Sequence, residues 1–118
     1  MSADTEALRW RRIGAVVAAV GVAAGAFGAH ALGEHPRLET WKTAAHYEML
    51  HGIAMCLPGL PKITRILLLV GTLIFAGSLY LLVLLDQPWL GAITPFGGVA
   101  LIAGWLSAAS ALPPSGHR

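Results

Sequence analysis

A chain of 118 residues builds at most one domain, and with 12% charged and 56% hydrophobic residues it carries about half the charge usual in soluble proteins. The net charge is only +2, and the basic residues flank apolar runs without interleaved aromatics, so nucleic acid is not an expected partner. A lone Cys56 excludes an internal disulfide and reads as a small packing residue.

Residues 13–32 form the first apolar run, interrupted only by His30. Arg9, Arg11 and Arg12 precede it, and Ala29, His30 and Ala31 fit a small-x-small cleavage pattern, so it also has the marks of a signal peptide. The chain carries it, and we read it as a span, with residues 1–8 as a solvated tail. Small residues recur along it at Gly14, Ala18, Gly21, Gly25 and Ala29, and Gly21 with Gly25 makes a GxxxG pair. Such spacing lets two backbones approach closely in lipid. Packing inside the chain's own bundle is the first use for that face; an interface to another subunit is the second.

Residues 33–42 are polar and read as a loop. Residues 44–60 are a weaker second segment, at the short limit for spanning, holding His46, Glu48 and His51 and ending at Pro58 and Pro61. A re-entrant or interfacial helix is the alternative. Residues 66–85, ILLLVGTLIFAGSLYLLVLL, are twenty residues without a charge, the length that matches a bilayer's hydrocarbon core. Gly71, Gly77 and Ser78 give this segment small positions of its own. Asp86, Gln87 and Pro88 then make a tight link to a last span at residues 89–112. Pro95 and Gly91, Gly97, Gly98 and Gly104 are tolerated there where neighbours satisfy the backbone. Residues 113–118 read as a second tail.

The fold expected is all-α: one transmembrane domain over residues 1–118, a four-helix bundle with helices at 13–32, 44–60, 66–85 and 89–112. With four crossings and the N-terminus inside, Arg9, Arg11, Arg12, Lys62, Arg65 and Arg118 lie inside and only Arg37 and Lys42 outside. Without the second crossing, the balance reverses against the positive-inside rule. The orientation expected is therefore N-in and C-in. Trp10, Trp41 and Trp89 fall at the expected interfaces, while Trp105 lies deeper as a packing residue.

The stretch TAAHYEMLH, residues 43–51, concentrates polar groups that membrane segments rarely keep without a reason. Ala44, Tyr47, Glu48 and His51 share one helix face by their i, i+3, i+4, i+7 spacing, while His46 points elsewhere. Counting rise from the expected outer ends, Tyr47 lies about 6 Å and His51 about 12 Å deep, and Ser78, Tyr80, Thr94 and Pro95 about 7 to 11 Å. His30 sits near the same surface. This polar outer cluster has four readings: a hydrogen-bonded clip, a pocket for a quinone or lipid headgroup or small solute, a proton or ion relay, and a metal or haem site. The last is disfavoured, because the spacing matches no strong metal motif. Glu48 has two candidate partners, His51 one turn on and His30 across the helices. No nucleophile-base arrangement or phosphate loop is present in the sequence, so no catalytic residue is assigned.

The motifs GAFGAHAL (residues 25–32), TAxxYxxxH (43–51), FAGSLYLL (75–82), ITPFGG (93–98) and GW (104–105) occur in this order. Together they resemble the YgdD-like family of small inner-membrane proteins, which has a eukaryotic transmembrane relative. The resemblance implies a four-helix integral membrane protein of a bacterial inner membrane, with no established catalytic residue. Its signature positions fall here on His30, Tyr47, His51, Ser78, Tyr80, Thr94 and Pro95; His46 and Glu48 are not among them. The second segment is shorter than in typical relatives.

The function expected is non-enzymatic: an accessory or assembly subunit of a larger membrane complex, or a homo-oligomer, in contact with lipid and without cofactor or metal. The alternative is a ligand- or proton-binding membrane protein that uses the His, Tyr and Glu cluster.

Overall fold

The computed structural model describes residues 3–111 as four helices, α1 (Ala3–Ala31), α2 (Leu38–Met55), α3 (Lys62–Leu85) and α4 (Thr94–Ala109). A short 3₁₀ helix, Pro88–Ala92, leads into α4. Three segments are long and apolar enough to cross a membrane: Asp4–Ala31, Lys62–Leu85 and Pro88–Ala109. The shorter α2 is not among them. The all-α bundle expected from the sequence is the fold observed.

The helix ends differ from the sequence reading. α1 begins at Ala3, so residues 3–8, expected as a solvated tail, add more than one turn to the helix; acidic Asp4 and Glu6 in its first turn suit the dipole there. α2 begins at Leu38 rather than Ala44. Pro36 and the Arg37 N–H bonded to His35 Nδ1 (3.0 Å) turn the chain just before it, and Thr43 Oγ1 caps back onto the Glu39 carbonyl within its first turns. α2 stops at Met55 because Leu57 precedes Pro58, and a residue before proline disfavours helical backbone. Gly59 adopts φ +78° in the turn that follows. α3 starts directly after Pro61, four residues earlier than the apolar run itself. Thr94 and Pro95 open α4, where proline's missing N–H is no loss. The tail read at residues 113–118 lies outside the described residues, as does Arg118.

Successive helices run antiparallel and pack in chain order, α1 on α2, α2 on α3, and α3 on α4, while α1 and α4 are not packed on each other. The α1–α2 register is set by glycine. A Cβ on Gly52 would lie 2.5 Å from the Ala18 nitrogen and 2.8 Å from the Gly14 carbonyl oxygen, so the two backbones nearly touch. Gly21 meets Met49, and Gly28 lies under the Trp41 ring. Two hydroxyl pairs clip α3 to α4. Thr64 reaches Ser107 (2.7 Å) near one end and Ser78 reaches Thr94 (2.6 Å) near the other. Ser107 and Ser78 also donate to the Gly104 and Phe75 carbonyls, so the threonine is the donor in each pair. Between them Gly97 lies against the backbone of Phe75, and Gly71 against Leu101.

Candidate functional site

α2 carries the polar residues, and its neighbours decide what each one meets. Because α2 starts at Leu38, Glu48 lies about 15 Å along the helix rather than near its outer mouth. It is only 7% exposed. Its Oε1 accepts the Tyr80 hydroxyl at 2.7 Å, from α3. The Tyr80 ring packs on Trp41 at 4.6 Å, and Trp41 Nε1 donates to the Ala24 carbonyl of α1 at 2.7 Å. Three helices thus hold the phenol that holds the carboxylate. Tyr80 is the partner of Glu48 among the described residues; neither His51 nor His30, the partners considered from the sequence, takes that place.

His51, 3% exposed, is engaged on both ring nitrogens. Nδ1 lies 2.8 Å from the Tyr47 carbonyl, and Trp105 Nε1 lies 3.0 Å from Nε2. A carbonyl and an indole N–H have fixed roles, so Nδ1 carries the proton and Nε2 accepts. This neutral ring has no free nitrogen for a ligand or a proton. Trp105, expected as packing alone, is therefore the residue that completes His51.

The cluster expected as one layer is divided. Tyr47 is 43% exposed at the rim, stacked on His51 (6.0 Å) and tilted against Phe75 (4.5 Å), instead of facing inward. Ser78 and Thr94 meet each other, with Pro95 exposed beside them. His30 is exposed in the last turn of α1 and makes no side-chain hydrogen bond among the described residues, so it does not join the cluster. His46 is exposed, as its spacing indicated. Of the small positions read on α1, Gly14, Ala18, Gly21 and Gly25 face α2, but Ala29 is exposed and Gly28 takes its place. The sequence held the signal: Gly14, Gly21 and Gly28 recur every seven residues. Among the described residues there is no group of three or more metal-ligating side chains.

Two grooves flank these residues. One, of about 340 Å³, is lined by Tyr47, His51, Phe75 and Trp105; the other concerns Glu48. It is an apolar groove of about 200 Å³ between α1 and α3, walled by Val17, Val20, Leu73, Ala76 and Gly77, with Glu48, Thr72 and Tyr80 as its polar groups. Thr72 Oγ1 is buried without a partner among the described residues. Thr72, Ala76 and Tyr80 follow i, i+4, i+8 spacing, so this hydroxyl lies two turns along the same side of α3 as the phenol.

A family model described as a protein of unknown function, DUF423, matches residues 24–98. The chain belongs to the DUF423 family. This DUF423 protein is 41% identical over 106 residues to a UPF0382 membrane protein of Staphylococcus aureus, covering 80% of this chain and 86% of that relative. It is 39% identical over 107 residues to the UPF0382 membrane protein YwdK of Bacillus subtilis, covering 80% and 87%. No solved structure matches. The resemblance read from the motifs is thus borne out as a family of small membrane proteins. With its relatives named as bacterial membrane proteins and its own apolar helices, this DUF423 protein is an integral membrane protein, as expected for the bacterial plasma membrane. The matched span contains Glu48, His51, Thr72, Ser78, Tyr80 and Thr94, whereas Trp105 lies beyond it.

Proposed function

We propose that this protein is a non-enzymatic binding protein of the membrane, and that the groove at Glu48 receives a small amphiphile with a hydrogen-bonding head, of quinone or lipid type. The observation that carries this reading is the buried carboxylate itself. One oxygen is taken by Tyr80, the other has no partner among the described residues, and Glu48 walls a groove that is otherwise apolar. A buried carboxyl group without full pairing is costly, so a site that keeps it gains something from it. Thr72 walls the same groove, with its hydroxyl buried and unpartnered among the described residues. A volume near 200 Å³ suits one ring, since about 150 Å³ accommodates benzene. The absence of catalysis is part of the proposal, supported by the full commitment of His51.

The rival is an accessory or assembly subunit of a membrane complex, or a homo-oligomer. Its sequence argument was the small-residue face of α1, the small extramembrane portion and the absence of a catalytic constellation in the sequence; of these, the α1 face is occupied by α2. The test is gentle extraction from the native membrane with mass analysis of the intact particle and of its extractable small molecules. A stoichiometric amphiphile that is lost in Glu48→Gln and Thr72→Val supports binding. A large assembly without such a molecule, unaffected by either substitution, overturns it in favour of the subunit reading.

A further inference from the structure

The end of the bundle away from the α1–α2 loop gathers Arg9, Arg11 and Arg12 from α1 with Lys62 and Arg65 from the first turn of α3. Arg65 is unusual among them: it is only 8% exposed. Its Nη2 donates to the Leu57 carbonyl at 2.9 Å, its Nε is buried with no partner, and it makes no ion pair among the described residues. A guanidinium has five N–H donors and is always charged. Here one Nη2 donor is spent on Leu57, Nε is buried unspent, and the remaining nitrogen, Nη1, has no partner among the described residues. It forms one wall of a pocket of about 380 Å³, with Cys56 and Pro58 beside it and Asp4, Leu8 and Arg11 opposite on α1. Asp4 lies on the rim, exposed and not ion-paired with either arginine. The N-terminus of α3, which has no side-chain cap, adds the positive end of its dipole.

We propose that this pocket binds a phosphate group through Arg65 and Arg11, carried either by the headgroup of an anionic phospholipid or by free phosphate. Planar N–H pairs match phosphate oxygens, and a buried arginine without a counter-ion is completed by that charge. Basic pockets between membrane helices at the basic face are suited to lipid phosphates. The site is separate from the Glu48 groove, and the two proposals stand or fall independently.

The test uses the full chain in detergent, probed with phosphatidylglycerol, with phosphatidylcholine of the same acyl chains, and with inorganic phosphate. Two readouts apply: bound lipid by native mass spectrometry, and the rate of maleimide labelling at Cys56, the only cysteine and a wall of the pocket. Phosphatidylglycerol is expected to be retained at least tenfold over phosphatidylcholine and to slow Cys56 labelling. Arg65→Gln should weaken retention about tenfold, as for loss of a charge-assisted hydrogen bond, and Arg11→Gln about fivefold. Displacement by millimolar phosphate, with protection of Cys56 by phosphate alone, identifies free phosphate as the source. Phosphate without effect identifies the lipid. If Arg65→Gln does not fold, Arg11→Gln and Arg65→Lys decide, since Arg11 is exposed and lysine keeps the charge. Equal retention of both lipids with no protection of Cys56 by phosphate, or an Arg9→Gln control as damaging as Arg11→Gln, overturns the proposal.

Discussion

Tyr80 is the residue on which the buried carboxylate depends. Tyr80→Phe removes the hydrogen bond to Glu48 and leaves a buried acceptor unpaired, so stability should fall by about 1–3 kcal/mol, read as a lower thermal midpoint in detergent. Thr72→Val should behave in the opposite way. Its hydroxyl has no partner among the described residues, so replacing it with a methyl removes an uncompensated buried polar group, and stability should hold or rise by up to about 1 kcal/mol. A marked loss in Thr72→Val would show that the hydroxyl is already engaged. At this scale the sequence named most of the polar residues but not their partners. The face shared by Ala44, Glu48 and His51 is legible from spacing, and all three are buried. That Glu48 meets Tyr80 while His51 meets Trp105 depends on the register of α2 against α3 and α4, which no local pattern encodes.

At the scale of the helix, glycines set how close two backbones come. Gly52→Ala puts a methyl against the backbone of Ala18 and Gly14, which cannot swing aside as a side chain does, so α1 and α2 must separate. Overpacking of this kind costs about 1–3 kcal/mol. Gly77→Ala meets nothing within 4 Å and should be neutral, or stabilising by up to about 1 kcal/mol from helix propensity. The pair is a direct check on the helix register: thermal midpoints that shift alike in both variants would contradict it. Helix existence was legible from apolar run length, and helix ends were not. Polar residues at 38–42 and 62–65 read as loop because charge suggested solvent, yet nothing in them breaks a helix. The breakers, Pro36, Pro58 and Pro61, mark the true boundaries. Gly77 was grouped with the packing glycines by spacing alone, but its side of α3 opens on the Glu48 groove.

For the molecule as a whole, α2 packs on both α1 and α3, and it is expected to cross the membrane with them. Its 18 residues span about 27 Å, close to a hydrocarbon core of about 30 Å. Cys56 should then label from one side of the membrane, and Glu34→Cys in a Cys56→Ser background from the other. Cys56 is expected on the cytoplasmic side, where the basic end belongs by the positive-inside rule. Labelling of both positions from the same side would make α2 re-entrant. The exposed Arg37–Asp86 pair (3.1 Å) ties the α1–α2 loop to the end of α3 and contributes less than about 1 kcal/mol.

Composition and hydrophobic run length were enough to determine an all-α membrane protein, because transfer of apolar side chains into lipid is local and additive along the chain; its small-residue faces were legible from spacing only in part, since Ala29 is exposed and Gly77 meets nothing. Tertiary structure alone decided that the polar cluster divides, that His51 is closed off by Trp105 while Glu48 keeps an open oxygen beside a groove, and that Arg65 is buried without an ion-pair partner among the described residues. Those outcomes depend on which helix faces which, at a register fixed by close contacts between glycine backbones on different helices.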